Sequence, residues 1–180
     1  QEFLVHPVWS PDGTRLAYVS QDEEEKPTNV WVVSTAGGAP VRLTQDAGTV
    51  FDPQWSPDGT TILYTNNVEG ARDLWTIPAD GGVATQLTTG GTSGGWARWS
   101  PDGASIAFIS DQSGTQSIWL MPADGGAATA LTGDEGTDAQ VEWAPDGSRL
   151  VFRSNRAGTP DIWVAPVAGG PASHLTSGPA

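Results

Sequence analysis

The chain has 180 residues, the length of one domain, and carries 8 Lys and Arg against 21 Asp and Glu for a net charge of −13. That balance excludes the basic face that nucleic-acid phosphates require and disfavours an anionic membrane surface. With no cysteine there is no disulfide frame, thiolate nucleophile or thiolate metal site. No apolar run approaches the ~18 residues of a membrane helix. The chain begins at Gln1 with a strand-like stretch rather than a basic and then apolar leader, so no signal peptide is expected, as for a mature secreted chain or an excised fragment. Together, 23 Gly, 14 Pro and 9 Trp leave a turn-rich all-β protein as the remaining class.

In chain order, the first strand runs into Trp9-Ser10-Pro11-Asp12-Gly13, a turn in which Pro presets φ, Asp bonds nearby backbone and Gly accepts positive φ. An apolar second strand follows over Leu16–Ser20. A third over Asn29–Val33 carries Trp31, and after a Gly37-Gly38 turn a fourth ends at Leu43-Thr44. The same series then recurs. W-S-P-D-G returns at Trp55 and Trp99 and W-A-P-D-G at Trp143, at spacings of 46, 44 and 44. Second strands are expected over Ile62–Thr65, Ile106–Ser110 and Leu150–Ser154, and third strands over Asp73–Ile77, Ser117–Met121 and Asp161–Ala165. The second tryptophans are Trp75, Trp119 and Trp163, and each is followed 12 residues on by Leu-Thr. Four markers in constant phase across four units define a repeat of ~40–45 residues built as a four-stranded meander, the pattern of a β-propeller blade. The expected architecture is a single all-β propeller domain over 1–180, with blades at about 1–46, 47–90, 91–134 and 135–180. The eight recurrent tryptophans (Trp9, Trp31, Trp55, Trp75, Trp99, Trp119, Trp143 and Trp163) are expected to pack between blades, each burying a large ring.

The string W-S-P-D-G-x-x-I-A-F-x-S, then a polar residue and x-W, then G-G, then L-T, resembles the TolB-type (WD40-like) propeller repeat over nearly the whole chain. The D-L-W-x-x-P and P-A-D-G-G wording at Asp73–Gly82 is most similar to propellers fused to prolyl-oligopeptidase-family peptidases and to bacterial relatives. The resemblance implies the fold and no single function, since the repeat serves interaction scaffolds, peptidase gating domains and a few enzymes. Such propellers usually have six or more blades. The four units here therefore imply a closed four-bladed monomer, an eight-bladed ring of two chains, or a piece of a larger propeller.

One position varies where the scaffold repeats. Three residues before each marker Trp stand His6, Asp52, Trp96 and Gln140, expected at the entry of each innermost strand near the mouth of the central channel. An aromatic, an acid, an imidazole and an amide there suit a peptide, a protein segment or a sugar. As packing, Trp96 would instead plug the channel. His6, Asp52 and Gln140 form a poor transition-metal set, and Asp134, Glu135 and Asp138 lack the phase of a calcium loop. No cofactor is implied. Gly91–Gly95 reads G-x-S-x-G around Ser93, but no helix follows and neither His6 nor His174, expected exposed on an outer strand, is placed to serve it. Asp22–Glu25 reads as a solvated acidic loop. The repeated turn aspartates and the polar residues before the second tryptophans read as backbone caps, and Arg98 and Glu142 as a cross-blade pair.

The function expected is a non-catalytic scaffold binding a protein or peptide, basic by charge complementarity, at His6, Asp52, Trp96 and Gln140. Alternatives are the gating propeller of a prolyl-oligopeptidase-like serine peptidase without its catalytic domain, and a lectin-like ring. Partners would also include a second copy completing an eight-bladed ring. The Lys-poor, Cys-free composition favours a bacterial periplasmic or extracellular site slightly over the cytoplasm.

Overall fold

A computed structural model describes residues 4–21, 27–45, 48–91, 95–133 and 135–176. The protein is all-β, with four antiparallel sheets of four strands each, the blades of a propeller. Blade 1 comprises β1 (Leu4–Trp9), β2 (Arg15–Gln21), β3 (Thr28–Ser34) and β4 (Val41–Arg42). Blade 2 comprises β5 (Thr49–Trp55), β6 (Thr61–Val68), β7 (Ala71–Pro78) and β8 (Thr85–Gln86). Blade 3 comprises β9 (Arg98–Trp99), β10 (Ser105–Ser110), β11 (Ser117–Pro122) and β12 (Thr129–Ala130). Blade 4 comprises β13 (Asp138–Trp143), β14 (Arg149–Ser154), β15 (Asp161–Pro166) and β16 (Ser173–His174). Within each sheet every strand pairs with its neighbours in sequence, as the meander reading requires.

The chain divides into two compact units, Gln1–Gly91 and Thr92–Ala180, each of two blades. In the first, Ala17, Val19, Val30 and Val32 of blade 1 are buried together with Val50, Ile62, Tyr64 and Ile77 of blade 2. In the second, Ala107, Ile109 and Ile118 of blade 3 are buried with Val141, Leu150, Phe152 and Ala165 of blade 4. A single four-stranded sheet leaves one apolar face wet, so pairs of blades form the cores.

The first two strands of each blade are joined by the Pro-Asp-Gly turn. Ser10 Oγ accepts from Arg15 N at 2.9 Å and donates to Asp12 Oδ1 at 2.6 Å, and Asp12 Oδ1 accepts from Thr14 N at 3.0 Å. The turn glycines Gly13, Gly59, Gly103 and Gly147 have φ of 71°, 70°, 72° and 70°, the left-handed region in which a side chain is strained. At the outer edge the Leu-Thr pair locks the short fourth strand. Thr44 Oγ1 accepts from Val30 N and Thr88 Oγ1 from Leu74 N, at 3.0 and 2.9 Å.

Candidate functional site

His6, Asp52, Trp96 and Gln140 share a backbone conformation that residue type does not dictate. Their φ angles are 55°, 51°, 62° and 54°, all left-handed, and Glu69 is the only other described non-glycine residue with positive φ. In blades 1, 2 and 4 the cause is a bulge in the innermost strand. Val5 pairs with Val19 and Val8 with Ala17, so His6 and Pro7 together oppose Tyr18. Asp52 and Pro53 likewise face Tyr64, and Gln140 and Val141 face Phe152. In blade 3 the inner strand is only Arg98–Trp99, with Arg98 paired to Ala107, so Trp96 and Ala97 lie just before it in non-strand backbone. Two residues against one bend a strand and re-aim a side chain.

In blades 2, 3 and 4 the residue after the left-handed one is turned inward, whereas Pro7 of blade 1 is exposed. Ala97 is 5% exposed and Val141 is fully buried, and Pro53 is buried as well. The left-handed residue itself is sent outward. His6 and Gln140 are exposed, Asp52 half-buried and Trp96 43% exposed. Gln54 Nε2 donates to Asp52 Oδ1 at 3.3 Å. Arg98 and Glu142, two residues past Trp96 and Gln140, form an ion pair of 2.8 Å between inner strands. His6 and Asp52 thus take equivalent stations on the neighbouring inner strands of one unit, and Trp96 and Gln140 on those of the other. The opposing aromatics Tyr18, Tyr64, Phe108 and Phe152 escaped the sequence reading. Tyr18, Tyr64 and Phe152 face the three bulges, and Phe108 holds the same station in β10.

The other candidates fall elsewhere. Glu135 and Asp138 both face Arg156, at 3.5 and 2.9 Å, and Thr132 Oγ1 donates to Asp138 at 2.6 Å, so these two acids serve a guanidinium and a hydroxyl. Asp134, Ser93 and the acidic run Asp22–Glu25 lie outside the described residues. Among the described residues no group of three or more His, Asp or Glu is placed to hold a metal. His174 is exposed on the outer strand β16, as expected, and has partners there. Its ring stacks on Trp163 with centroids 4.4 Å apart, and Nε2 lies 3.2 Å from Asp161. Trp55 is 8% exposed and donates Nε1–H to Val8 O at 3.1 Å, and Trp143 donates to Arg98 O at 3.0 Å. The Trp55 and Trp143 rings therefore each sit on the preceding blade of their own unit. Trp9, whose blade has no predecessor within its unit, is 64% exposed.

The turn aspartates are strongly hydrogen-bonded. Hydrogen bonds from the Ser10 hydroxyl and from the amide and hydroxyl of Thr14 lower the Asp12 pKa to about 2. Asp58 and Asp102 are lowered chiefly by Ser56 and Ser100, and Asp146 by the Ser148 amide.

Four four-stranded meander blades, three of them with a bulged inner strand, make this a β-propeller protein. It belongs to the family of the tricorn protease N-terminal β-propeller domain, whose model matches residues 25–117 and 71–160. Among solved structures it is similar to one described as a TolB from Agrobacterium tumefaciens (30% identity, TM-score 0.83, covering 98% of this chain and 63% of that one). It is also similar to TolB from Acinetobacter baumannii (23%, 0.82, 97% and 44%). A puromycin-hydrolyzing peptidase from Mycobacterium tuberculosis shares the fold (15%, 0.78, 97% and 29%). The chain thus spans less than two thirds of the length of each of these proteins. No curated protein sequence matches it.

Proposed function

We propose that the chain is a non-catalytic propeller scaffold that binds a protein or peptide through His6, Asp52, Trp96 and Gln140, with the neighbouring loops. The observation that carries this reading is the shared left-handed backbone of these four residues. A left-handed non-glycine residue costs roughly 1–2 kcal/mol, and here the strained station holds four different side chains with donor, acceptor, charged and aromatic character. A purely structural bulge would be served by glycine at each. The mechanism is shape plus a few polar contacts, with Trp96 as the aromatic anchor. The net charge of −13 favours basic partners and speeds their encounter.

The test uses a displayed library of random peptides selected on the whole chain. Selected peptides are then measured against His6→Gly, Asp52→Gly, Trp96→Gly and Gln140→Gly, which keep the backbone angle and remove the side chain. Loss of about tenfold in affinity in Trp96→Gly and at least one other is expected, each tenfold being 1.4 kcal/mol. Unchanged affinity in all four overturns the reading.

A second reading is supported by the family match to a protease propeller: the chain would be the substrate-access propeller of a larger peptidase. An α/β-hydrolase sequence in the same gene would decide for it. Trp9 supports assembly with a second copy. In this reading Arg149, six residues past Trp143 as Arg15 is past Trp9, would cap the partner's Trp9 as Arg15 caps Trp55. Light scattering at twice 18.7 kDa is expected, and a monomeric mass removes the second copy. Similarity to TolB, with the Cys-free composition, supports a periplasmic or extracellular location over a cytoplasmic one, which cell fractionation tests.

A further inference from the structure

The interface between blades 1 and 2 and that between blades 3 and 4 follow one plan. In each, the later blade's marker tryptophan donates to a carbonyl of the earlier inner strand, as Trp55 and Trp143 do. In each, the later turn glycine faces the earlier turn proline. A β-carbon on Gly59 would lie 3.6 Å from Pro11 Cδ, and one on Gly147 3.8 Å from Pro101 Cδ. Equivalent positions can therefore be compared side chain by side chain.

One position differs in a way that opens space. Arg15 lies over the Trp55 ring, its Cζ 4.7 Å from the centroid. Its Nη2 donates to Gly59 O at 2.9 Å and its Nη1 to Asp80 at 2.7 Å. A guanidinium is thus stacked on indole and hydrogen-bonded in its own plane, the two contacts that favour arginine over lysine. Six residues after the marker Trp of blade 3, the counterpart of Arg15 is Ser105. Where the guanidinium would lie there is instead a cavity of about 420 Å³, lined by Ser105, Asp102, Trp143, Asp146, Gly147 and neighbouring residues. The aromatic floor and the glycine turn are retained, and the cation that covers them at the first interface is gone.

We propose that this cavity binds the guanidinium of an arginine side chain from a partner peptide, in the place that Arg15 fills between blades 1 and 2. The ring of Trp143 forms the stacking surface, the Gly147 carbonyl accepts from the guanidinium, and Asp102 and Asp146, one from each blade, supply the countercharge. Asp80 has Ala168 as its counterpart in blade 4, so the carboxylate that anchors Arg15 from outside is missing and the approach for a ligand's main chain is left open. Asp102 is well placed for its part. Its counterpart Asp12 is lowered first by hydrogen bonds from Ser10 and Thr14 and also by the charge of Arg15. The volume accommodates the arginine stem with part of the adjoining peptide, and the acidic chain draws such a segment in. The cavity lies at the end of the inner strands opposite to Trp96 and Gln140, so this site stands independently of the bulge residues.

The test titrates the full chain with three capped tripeptides, Gly-Arg-Gly, Gly-Lys-Gly and Gly-citrulline-Gly, following backbone amides and tryptophan indole N–H groups by NMR. For Gly-Arg-Gly, saturable shifts are expected at Asp102, Trp143, Asp146 and Gly147. About tenfold weaker binding is expected for the citrulline peptide, which keeps the shape and loses the charge, and weaker binding for the lysine peptide, which loses the planar fork. Ser105→Arg rebuilds the first interface at the second and is expected to abolish the shifts. Arg15→Ser is expected to open a second site, with new shifts at Trp55 and Gly59, and keeps the test decisive where Ser105→Arg does not fold. No shift at these residues, equal shifts with all three peptides, or no new site in Arg15→Ser overturns the proposal. Shifts confined to Trp96 and Gln140 also overturn it while favouring the bulge residues as the binding site.

Discussion

Thr132 of blade 3 donates its hydroxyl to Asp138 of blade 4 across 2.6 Å, taking from the next blade a carboxylate that its own blade lacks. In the other blades the Leu-Thr threonine finds its acceptor at home. Thr44 donates to Asn29 at 3.1 Å, Thr88 to Asp73 at 3.1 Å and Thr176 to Asp161 at 3.4 Å. Blade 3 has Ser117 at that station, and its Oγ turns back to Thr115 O at 3.3 Å. Asp138 fills the gap from β13, where blade 2 has Val50. The charge this buries is met by Arg156 Nη2, at 2.9 and 3.0 Å from the two carboxylate oxygens, where blade 2 has Val68. The side chain of Asp138 is fully buried and that of Arg156 only 6% exposed.

Removing one partner of this pair is expected to destabilise the second unit strongly. A buried charge left unpaired costs about 3–5 kcal/mol, more than the pair contributes against an apolar replacement. Arg156→Val alone should lose that much in urea unfolding, and Asp138→Val alone somewhat less, because Arg156 keeps Glu135 at 3.5 Å. The double variant, which installs the blade 2 residues at both stations, should recover most of it. A double variant as unstable as the sum of the singles would show that the two side chains act independently.

Blade 4 also lacks a cap that the other three possess. Ser10, Ser56 and Ser100 each accept from the backbone amide five residues on and donate to the turn aspartate. The fourth unit has Ala144. Ala144→Ser is expected to add both bonds, from the hydroxyl to Asp146 and from the Arg149 amide to the hydroxyl. Stabilisation of about 0.5–1.5 kcal/mol is the scale of one such hydrogen bond. Denaturant midpoints of the two proteins check it, with no change in the slope expected.

The same turns make stability fall in acid. Asp12 ionises at about 2 in the folded chain against an ordinary value of 3.8, and Asp58, Asp102 and Asp146 shift in the same direction. Between those values the unfolded chain binds more protons, so stability rises with pH across the window. The contribution is complete above about pH 4 and is lost as pH falls toward 2. Asp12→Asn removes one titrating group, and its urea midpoint should fall less steeply between pH 4 and 2 than that of the unaltered chain. Equal slopes would assign the acid sensitivity to other groups.

How much of this was legible depended on whether the information was repeated or relational. The blades were legible because Trp, Pro-Asp-Gly and Leu-Thr recur in phase. The strand expected over Leu16–Ser20 lies within β2, and that expected over Ile106–Ser110 within β10. The variable station was legible as variation. Its left-handed backbone was not, because Trp and Gln have no preference for that region and the bulge is a matter of register between two strands. Asp138 was read with the nearby acids Asp134 and Glu135, whereas its partner Arg156 is brought to it only by the pairing of β13 with β14. His174 is exposed on an outer strand as its place in the repeat implies, and the β15–β16 register adds its stacking on Trp163. The cavity at Ser105 becomes visible once Arg15 is seen lying on Trp55, a contact between blades that no single repeat contains.

The bulge itself separates structure from binding. Gln140 is exposed at φ 54°, so Gln140→Gly relieves the strained backbone at the expense of a more flexible unfolded chain. These effects are of similar size, roughly 1 kcal/mol each, and the net change in stability should be small or favourable. Gln140→Val puts a β-branched side chain in the left-handed region and should destabilise by about 1–3 kcal/mol. Measured together by urea unfolding, the order Gly at or above Gln, and Gln well above Val, would establish that the wild-type side chain is not there for stability. Its retention at a strained position is then explained only by what it contacts outside the blade. A Gly variant that unfolds as readily as the Val variant would instead make the Gln140 side chain part of the scaffold.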